Sequence, residues 1–111
     1  MSDYIPEKGD IVWLNFDPSL GSEIMKRRPA IVISRLTFNT HTDLAIVAPI
    51  TSRTRGIKLE VVLPEMLSIQ GAVLVYQLKS MDFLSRDICF IEKAPEETTA
   101  MVTNLAKLII S

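Results

Sequence analysis

The 111-residue chain has one cysteine, Cys89, and one histidine, His41. A lone thiol excludes an intrachain disulfide and predicts a reducing compartment. A lone imidazole excludes any mechanism that needs a histidine pair, and HExxH, CxxC and clustered Cys/His spacings are all missing. His41 itself sits in the polar stretch FNTHTDL and reads as a surface residue. The four glycines stand far apart at positions 9, 21, 56 and 71, so no phosphate-cradling loop or dinucleotide fingerprint is formed. These absences predict chemistry with neither a metal nor a nucleotide cofactor. The opening MSDYIPEKGD lacks a basic region followed by an apolar one, and no apolar run approaches the roughly 20 residues needed to cross a bilayer. A cytoplasmic protein is expected.

A composition of 48% hydrophobic and 23% charged residues excludes a disordered or fibrous chain. At this length the chain reads as one domain, residues 1–111, able to bury roughly two-thirds of its unfolded surface. Its mean hydropathy of +0.26 is apolar for a small soluble protein and points to surface covered by a partner or a second copy. The net charge of −1 argues against nucleic acid only until it is resolved along the chain. Residues 26–58 hold seven cations (Lys26, Arg27, Arg28, Arg35, Arg53, Arg55 and Lys58) against Asp43, a net of +6; five cations and twelve acids elsewhere give −7. Attraction to phosphates follows local potential, not the total. A basic block of this kind is also what a solvated loop would carry.

Runs rich in β-branched residues predict strands at 11–16, 29–34, 44–50 and 58–64, one long bent strand or two short ones over 71–82, and a last one within 87–94. Residues 17–28 read as a long loop and 35–42 as a polar turn. In KLEVVLP, Leu59, Val61 and Leu63 alternate against Lys58, Glu60 and Val62. Pro95-Glu96-Glu97 has the signature of a helix start. Beyond it Met101, Leu105 and Leu108, with Val102 and Ile109, line one helical face, expected to pack on the chain's own barrel or on a dimer mate. Several short strands followed by one helix predict a mainly β fold, a small bent barrel with a C-terminal helix.

Four segments resemble the MazF/PemK family of toxin ribonucleases: GDIVWLNFDPSLGSE at 9–23, RRPAIVIS at 27–34, VAPITSRTRG at 47–56 and GAVLVYQLKSMD at 71–82. Each is weak alone, but they occur in the family's order and spacing over most of the chain. The resemblance implies an SH3-like barrel of the CcdB/PemK type and a homodimer. It further implies metal-independent cleavage of single-stranded RNA, and a cognate antitoxin of the MazE/PemI kind whose acidic tail occupies the RNA site. It places catalysis on Arg28 and Thr51, and substrate binding on Glu23, Lys26, Arg27, Ser52, Arg53, Arg55, Gln77 and Lys79.

The chemistry of those residue types fits. Attack of a ribose 2′-oxygen on the adjacent phosphorus needs help in removing the 2′-proton, in bearing charge on the phosphate and in releasing the 5′-oxygen. Arg28 offers a planar fork for phosphate oxygens and stays protonated, which makes it a charge stabiliser and a poor base. Thr51 can hydrogen-bond a phosphate or the 2′-hydroxyl, or simply cap its own turn. Some family members carry a carboxylate before the glutamine of the glycine-led strand, a candidate base; here that position is Tyr76, leaving Glu23 or Asp17 as substitutes. Tyr76 fits a core position better than a base-stacking one, and Trp13 fits core or dimer packing better than a base platform. Gln77 and Lys79, two apart, would share one face of a strand and could read a base edge and hold a phosphate. Two other functions stay open at this point: a non-catalytic CcdB-like toxin that binds DNA gyrase, and an RNA-binding barrel without chemistry.

Overall fold

Among the described residues, strand-forming runs cut by glycine and proline build seven short strands and two helices. The computed structural model describes residues 4–17, 26–53, 56 and 59–110, so the expected site residues Glu23 and Arg55 lie outside the described residues. In chain order the elements are β1 (Asp10–Asn15), β2 (Arg27–Val32), α1 (Leu36–Thr42), β3 (Leu44–Thr51), β4 (Glu60–Val62) and β5 (Ala72–Leu74). A 3-10 turn at Val75–Gln77, β6 (Lys79–Asp82), a second 3-10 turn at Phe83–Ser85, β7 (Cys89–Lys93) and α2 (Glu96–Ile110) complete it. All pairings are antiparallel, along the path β4-β5-β3-β2-β1-β7, with β6 also paired to β3. The expected class, mainly β with a C-terminal helix, is what forms. The path ends on β4 and β7, so the sheet does not close into a complete barrel.

The period-2 alternation of β1 to β3 divides the core in two. Val12, Leu14, Ala30, Val32, Ala45 and Val47 point to one face and meet Phe16, Met81 and Phe83. Ile11, Ile31, Ala48 and Ile50 point to the other, where Val61, Val73, Val75 and the α2 residues Val102 and Ala106 cover them. Both faces of the central sheet are therefore dry, which holds the strand ends that carry the site in fixed register.

Several expectations change in detail. Residues 35–42 are not a turn: α1 occupies Leu36–Thr42, closed by Asp43 at φ +57°. Its sequence is a poor helix former, but Asn39 is fully buried, donates to the Pro6 carbonyl at 2.7 Å and accepts from the Ser34 hydroxyl. One tertiary anchor thus overrides weak propensity. His41 is exposed on this helix, as expected. β2 begins at Arg27, ahead of Pro29, because β1 extends far enough to pair Asn15 with Arg27 and Leu14 with Arg28. The 58–64 run keeps its alternation, with Val61 and Leu63 buried and Val62 exposed, but shortens to β4. The 71–82 segment is two strands, interrupted opposite Pro49, which has no N–H to offer a ladder. On α2 only part of the expected stripe packs inward. Thr98, Val102 and Ala106 are buried and Leu105 lies against the core, whereas Met101 (51%) and Leu108 (71%) are exposed.

Candidate active site

The β2–β3 ladder pairs Val32 with Val47, Ile31 with Ala48 and Ala30 with Pro49. The ladder stops at Ala30–Pro49; Arg28 lies two residues beyond that pair on β2 and Thr51 two residues beyond it on β3, so both stand at the same end of the sheet. Thr51 is buried, and its Oγ1 accepts the Arg53 N–H at 3.1 Å, the side-chain turn expected of a hydroxyl at a strand end. Its backbone is held from the other side by β5, through the Thr51–Ala72 pair. Gly71 lies directly against it. Gly71 has φ +124°, and a Cβ there would stand 2.2 Å from the Thr51 carbonyl oxygen. The glycine that opens this strand is required because the Thr51 backbone fills the space a side chain would need.

The stems of the 18–25 segment are tied at this same end. The Phe16 N–H donates to the Lys26 carbonyl at 2.9 Å, and the Lys26 N–H to Asp17 Oδ1 at 2.7 Å, with Lys26 in the left-handed region at φ +66°. Arg86 donates from Nη1 to the carbonyls of Asn15 (3.2 Å) and Asp17 (2.9 Å). Arg27 pairs with Asp87 at 3.1 Å and also donates to its carbonyl. This pair is exposed and contributes little to stability, but it means that Arg27 reaches a phosphate only by leaving Asp87. Asp17, a candidate base, already spends one oxygen on the Lys26 amide. Ser52 and Arg53 are exposed just past Thr51.

Gln77 and Lys79 stand differently from the expectation. Gln77 lies in the 3-10 turn and Lys79 is the first residue of β6, so the two do not share a strand face. Lys79 pairs with Val47, four residues and about 13 Å of strand before Thr51. Tyr76, in the same turn, buries a hydroxyl that finds no hydrogen-bond partner, which fits packing better than base stacking.

Trp13 is not a core residue: it is 37% exposed, on β1 opposite Pro29. It lies on the Ile11 face beyond the end of the core, where it forms a wall of a cleft of about 370 Å³. Pro29, Ile50 and Ile69 add apolar lining, and Arg27, Arg28, Ser52, Ser68 and Gln70 add polar groups. Sequence reading missed the 68–70 segment altogether, because it has neither charge nor periodicity. Its hidden determinant is Glu92 on β7, whose carboxylate accepts the Ser68 N–H (3.1 Å), the Ser68 hydroxyl (2.7 Å) and the Ile69 N–H (2.9 Å). Desolvation raises the pKa of this carboxyl, but the hydrogen bonds from Ser68 and Ile69 together outweigh it and hold the group below its ordinary range. The charged form, and so the tether, persists throughout the neutral range. Among the described residues no three His, Cys, Asp or Glu side chains converge in a way that could hold a metal ion.

Comparison with known proteins gives the family and the fold. The family model for the PemK-like, MazF-like toxin of type II toxin–antitoxin systems matches residues 7–110. The chain is 37% identical over 86 residues to the endoribonuclease toxin MazF of Escherichia coli K12, covering 78% of this chain and 77% of that protein. It is 38% identical over 86 residues to the endoribonuclease toxin ChpB of the same strain, with 72% of each covered. Among solved structures, MazF from Deinococcus radiodurans superposes with a TM-score of 0.93 at 39% identity, over 97% of this chain and 98% of that one. A MazE–MazF complex from the same organism gives 0.85 at 36%, covering 98% of each chain. By sequence and by fold, the chain belongs to the PemK-like, MazF-like family of type II toxins.

Proposed function

We propose that this chain is an endoribonuclease toxin, a single domain over residues 1–111, that cleaves single-stranded RNA without a metal ion. The observation that supports the reading is that Trp13, Arg28 and Ser52 line one cleft at the end of the sheet where β3 finishes on Thr51. A ribose 2′-hydroxyl gives its proton to solvent water as its oxygen attacks the adjacent phosphorus; the P–O5′ bond breaks and the 5′-oxygen takes up a proton, leaving a 2′,3′-cyclic phosphate and a 5′-hydroxyl. Arg28 neutralises charge on the phosphate oxygens and can donate a proton toward the leaving oxygen. Thr51, with its hydroxyl anchored by the Arg53 amide, positions the phosphate or the 2′-hydroxyl. A fixed donor in a partly dry site contributes more than the same donor in water. Lys26, Ser52 and Arg53 bind the flanking backbone, and Arg27 joins them when it exchanges Asp87 for a phosphate. Lys79 and Gln77 contact RNA further along the strand direction.

The relatives named above include MazF bound to MazE, which supports a cognate antitoxin here, its acidic tail competing with RNA for the basic corner. The exposed apolar residues of α2 support a homodimer, and among the described residues no helix is long and apolar enough to cross a membrane. The working compartment is the cytoplasm, where messenger RNA is available. The experiment is digestion of a long single-stranded RNA by purified protein in excess EDTA, with both new ends analysed. Discrete fragments with 5′-hydroxyl and cyclic phosphate ends are expected; 5′-phosphate ends, or activity that EDTA removes, contradict the mechanism.

A further inference from the structure

The cleft beside Arg28 is shaped for more than a phosphate. Its apolar lining is Trp13, Pro29, Ile50 and Ile69, and Ser68 and Gln70 add uncharged polar groups beside Arg27 and Arg28. A half-exposed tryptophan with aliphatic neighbours is a surface on which an unstacked nucleobase rests. The arginines fix where the attached phosphate lies, since only they bring positive charge to the lining.

What Ser68 and Gln70 can offer is set by bonds already made. The Gln70 amide nitrogen donates to the carbonyls of Leu67 and Glu65. With its donors committed, the amide has its carbonyl oxygen, Oε1, left to present to a ligand. The Ser68 hydroxyl spends its proton on Glu92, which leaves oxygen lone pairs as its remaining capacity. Both groups are therefore acceptors toward the cleft. Glu92 lies behind this segment, not in the cleft, and holds it through three hydrogen bonds.

We infer that Ser68–Gln70 is the base-reading segment of the enzyme, and that it selects a nucleobase carrying an exocyclic amino group over uracil next to the cut. The inference rests on the endoribonuclease reading and adds the base class to it. Adenine, cytosine and guanine each have an amino group for such acceptors. Uracil has a carbonyl oxygen at the position where cytosine has its amino group, and its single edge donor, N3–H, is too few for two acceptors, so one of them would face a carbonyl oxygen without a proton between. Glu92 acts on the same selection as a positioning residue.

The test pairs altered RNA with altered protein. Wild-type protein digests a randomised single-stranded RNA library in EDTA, and the fragment ends are sequenced. The preferred site is then remade with the amino group deleted: purine riboside for adenosine, inosine for guanosine, or uridine for cytidine. Deletion at the position adjoining the cut is expected to lower kcat/KM at least tenfold. Gln70→Ala and Glu92→Gln are each expected to shrink that ratio to threefold or less, with circular dichroism confirming that the variants fold. A preference for uridine at both positions flanking the cut, indifference of the wild type to the deletion, or unchanged discrimination in both variants overturns the inference while leaving the endoribonuclease reading intact. The amino-deleted RNAs decide the matter even if a variant fails to fold. A wild-type protein that cuts no RNA overturns both.

Discussion

On the proposed reading Arg28 and Thr51 carry the chemistry, while the neighbouring cations hold the flanking backbone. Arg27 is engaged by Asp87, and Arg28 lines the Trp13 cleft. Arg28→Ala should lower kcat by about 100-fold to 1,000-fold, the usual loss of one preorganised charge-stabilising donor, in a variant that circular dichroism shows to be folded. Thr51→Ala should act in the same direction, and single-turnover cleavage of a short RNA measures both. Gly71 makes a sharper structural claim. At φ +124° and with its missing Cβ aimed at the Thr51 carbonyl, Gly71→Ala should cost about 2 kcal/mol or more in urea denaturation. Any folded fraction should cleave poorly because Thr51 has been pushed. The strand-end placement of Arg28 and Thr51 was legible in sequence from the Arg-Pro and Pro-x-Thr segments. The reason for Gly71 was not, since it lies in a contact between residues twenty positions apart.

Elements with a simple period were legible, and those fixed by tertiary anchors were not. β1, β2, β3 and α2 follow from alternation and helical spacing, to within two residues at most ends. α1 does not, because its stability comes from Asn39 reaching Pro6 and Ser34, a partner no local pattern announces. The Ser68–Gln70 segment stayed hidden for the same reason, its order coming from Glu92 on a distant strand. α2 also separates two roles for apolar side chains. Val102, 1% exposed, is core, and Val102→Ala should cost about 2 kcal/mol from lost transfer energy and a residual cavity. Met101 and Leu108 are exposed and should cost an isolated chain less than about 0.5 kcal/mol when cut to alanine. If they cover a second copy, Leu108→Lys should instead shift the light-scattering mass at micromolar concentration from dimer to monomer. An unchanged dimer would move the interface elsewhere.

Across the whole molecule the near-neutral sum conceals a working polarity. The basic stretch supplies β2's start and β3's end, the end of the sheet that carries Arg28 and Thr51, while acids such as Asp10 and Glu92 serve as fasteners elsewhere. One fastener sets a pH limit. Tyr4 donates to Asp10, which also binds Lys93 at 3.1 Å. Burial first, then the hydrogen bond and charge of Asp10, push the Tyr4 phenol far above its ordinary value. Its contribution is therefore complete below about pH 10, where the unfolded phenol is also neutral, and declines as pH rises beyond that. Denaturant midpoints should fall above pH 10, and Tyr4→Phe should flatten that fall. RNA binding should meanwhile weaken steeply with salt, since its attraction comes from a local cluster of cations.

The most direct test of the account compares wild-type protein with Arg28→Ala on one long single-stranded RNA in excess EDTA, at protein concentrations well above any contaminating nuclease. The account predicts discrete cuts with 5′-hydroxyl ends from the wild type and none at those sites from the variant. Intact RNA with the wild type, or equal cutting by both proteins, would contradict it.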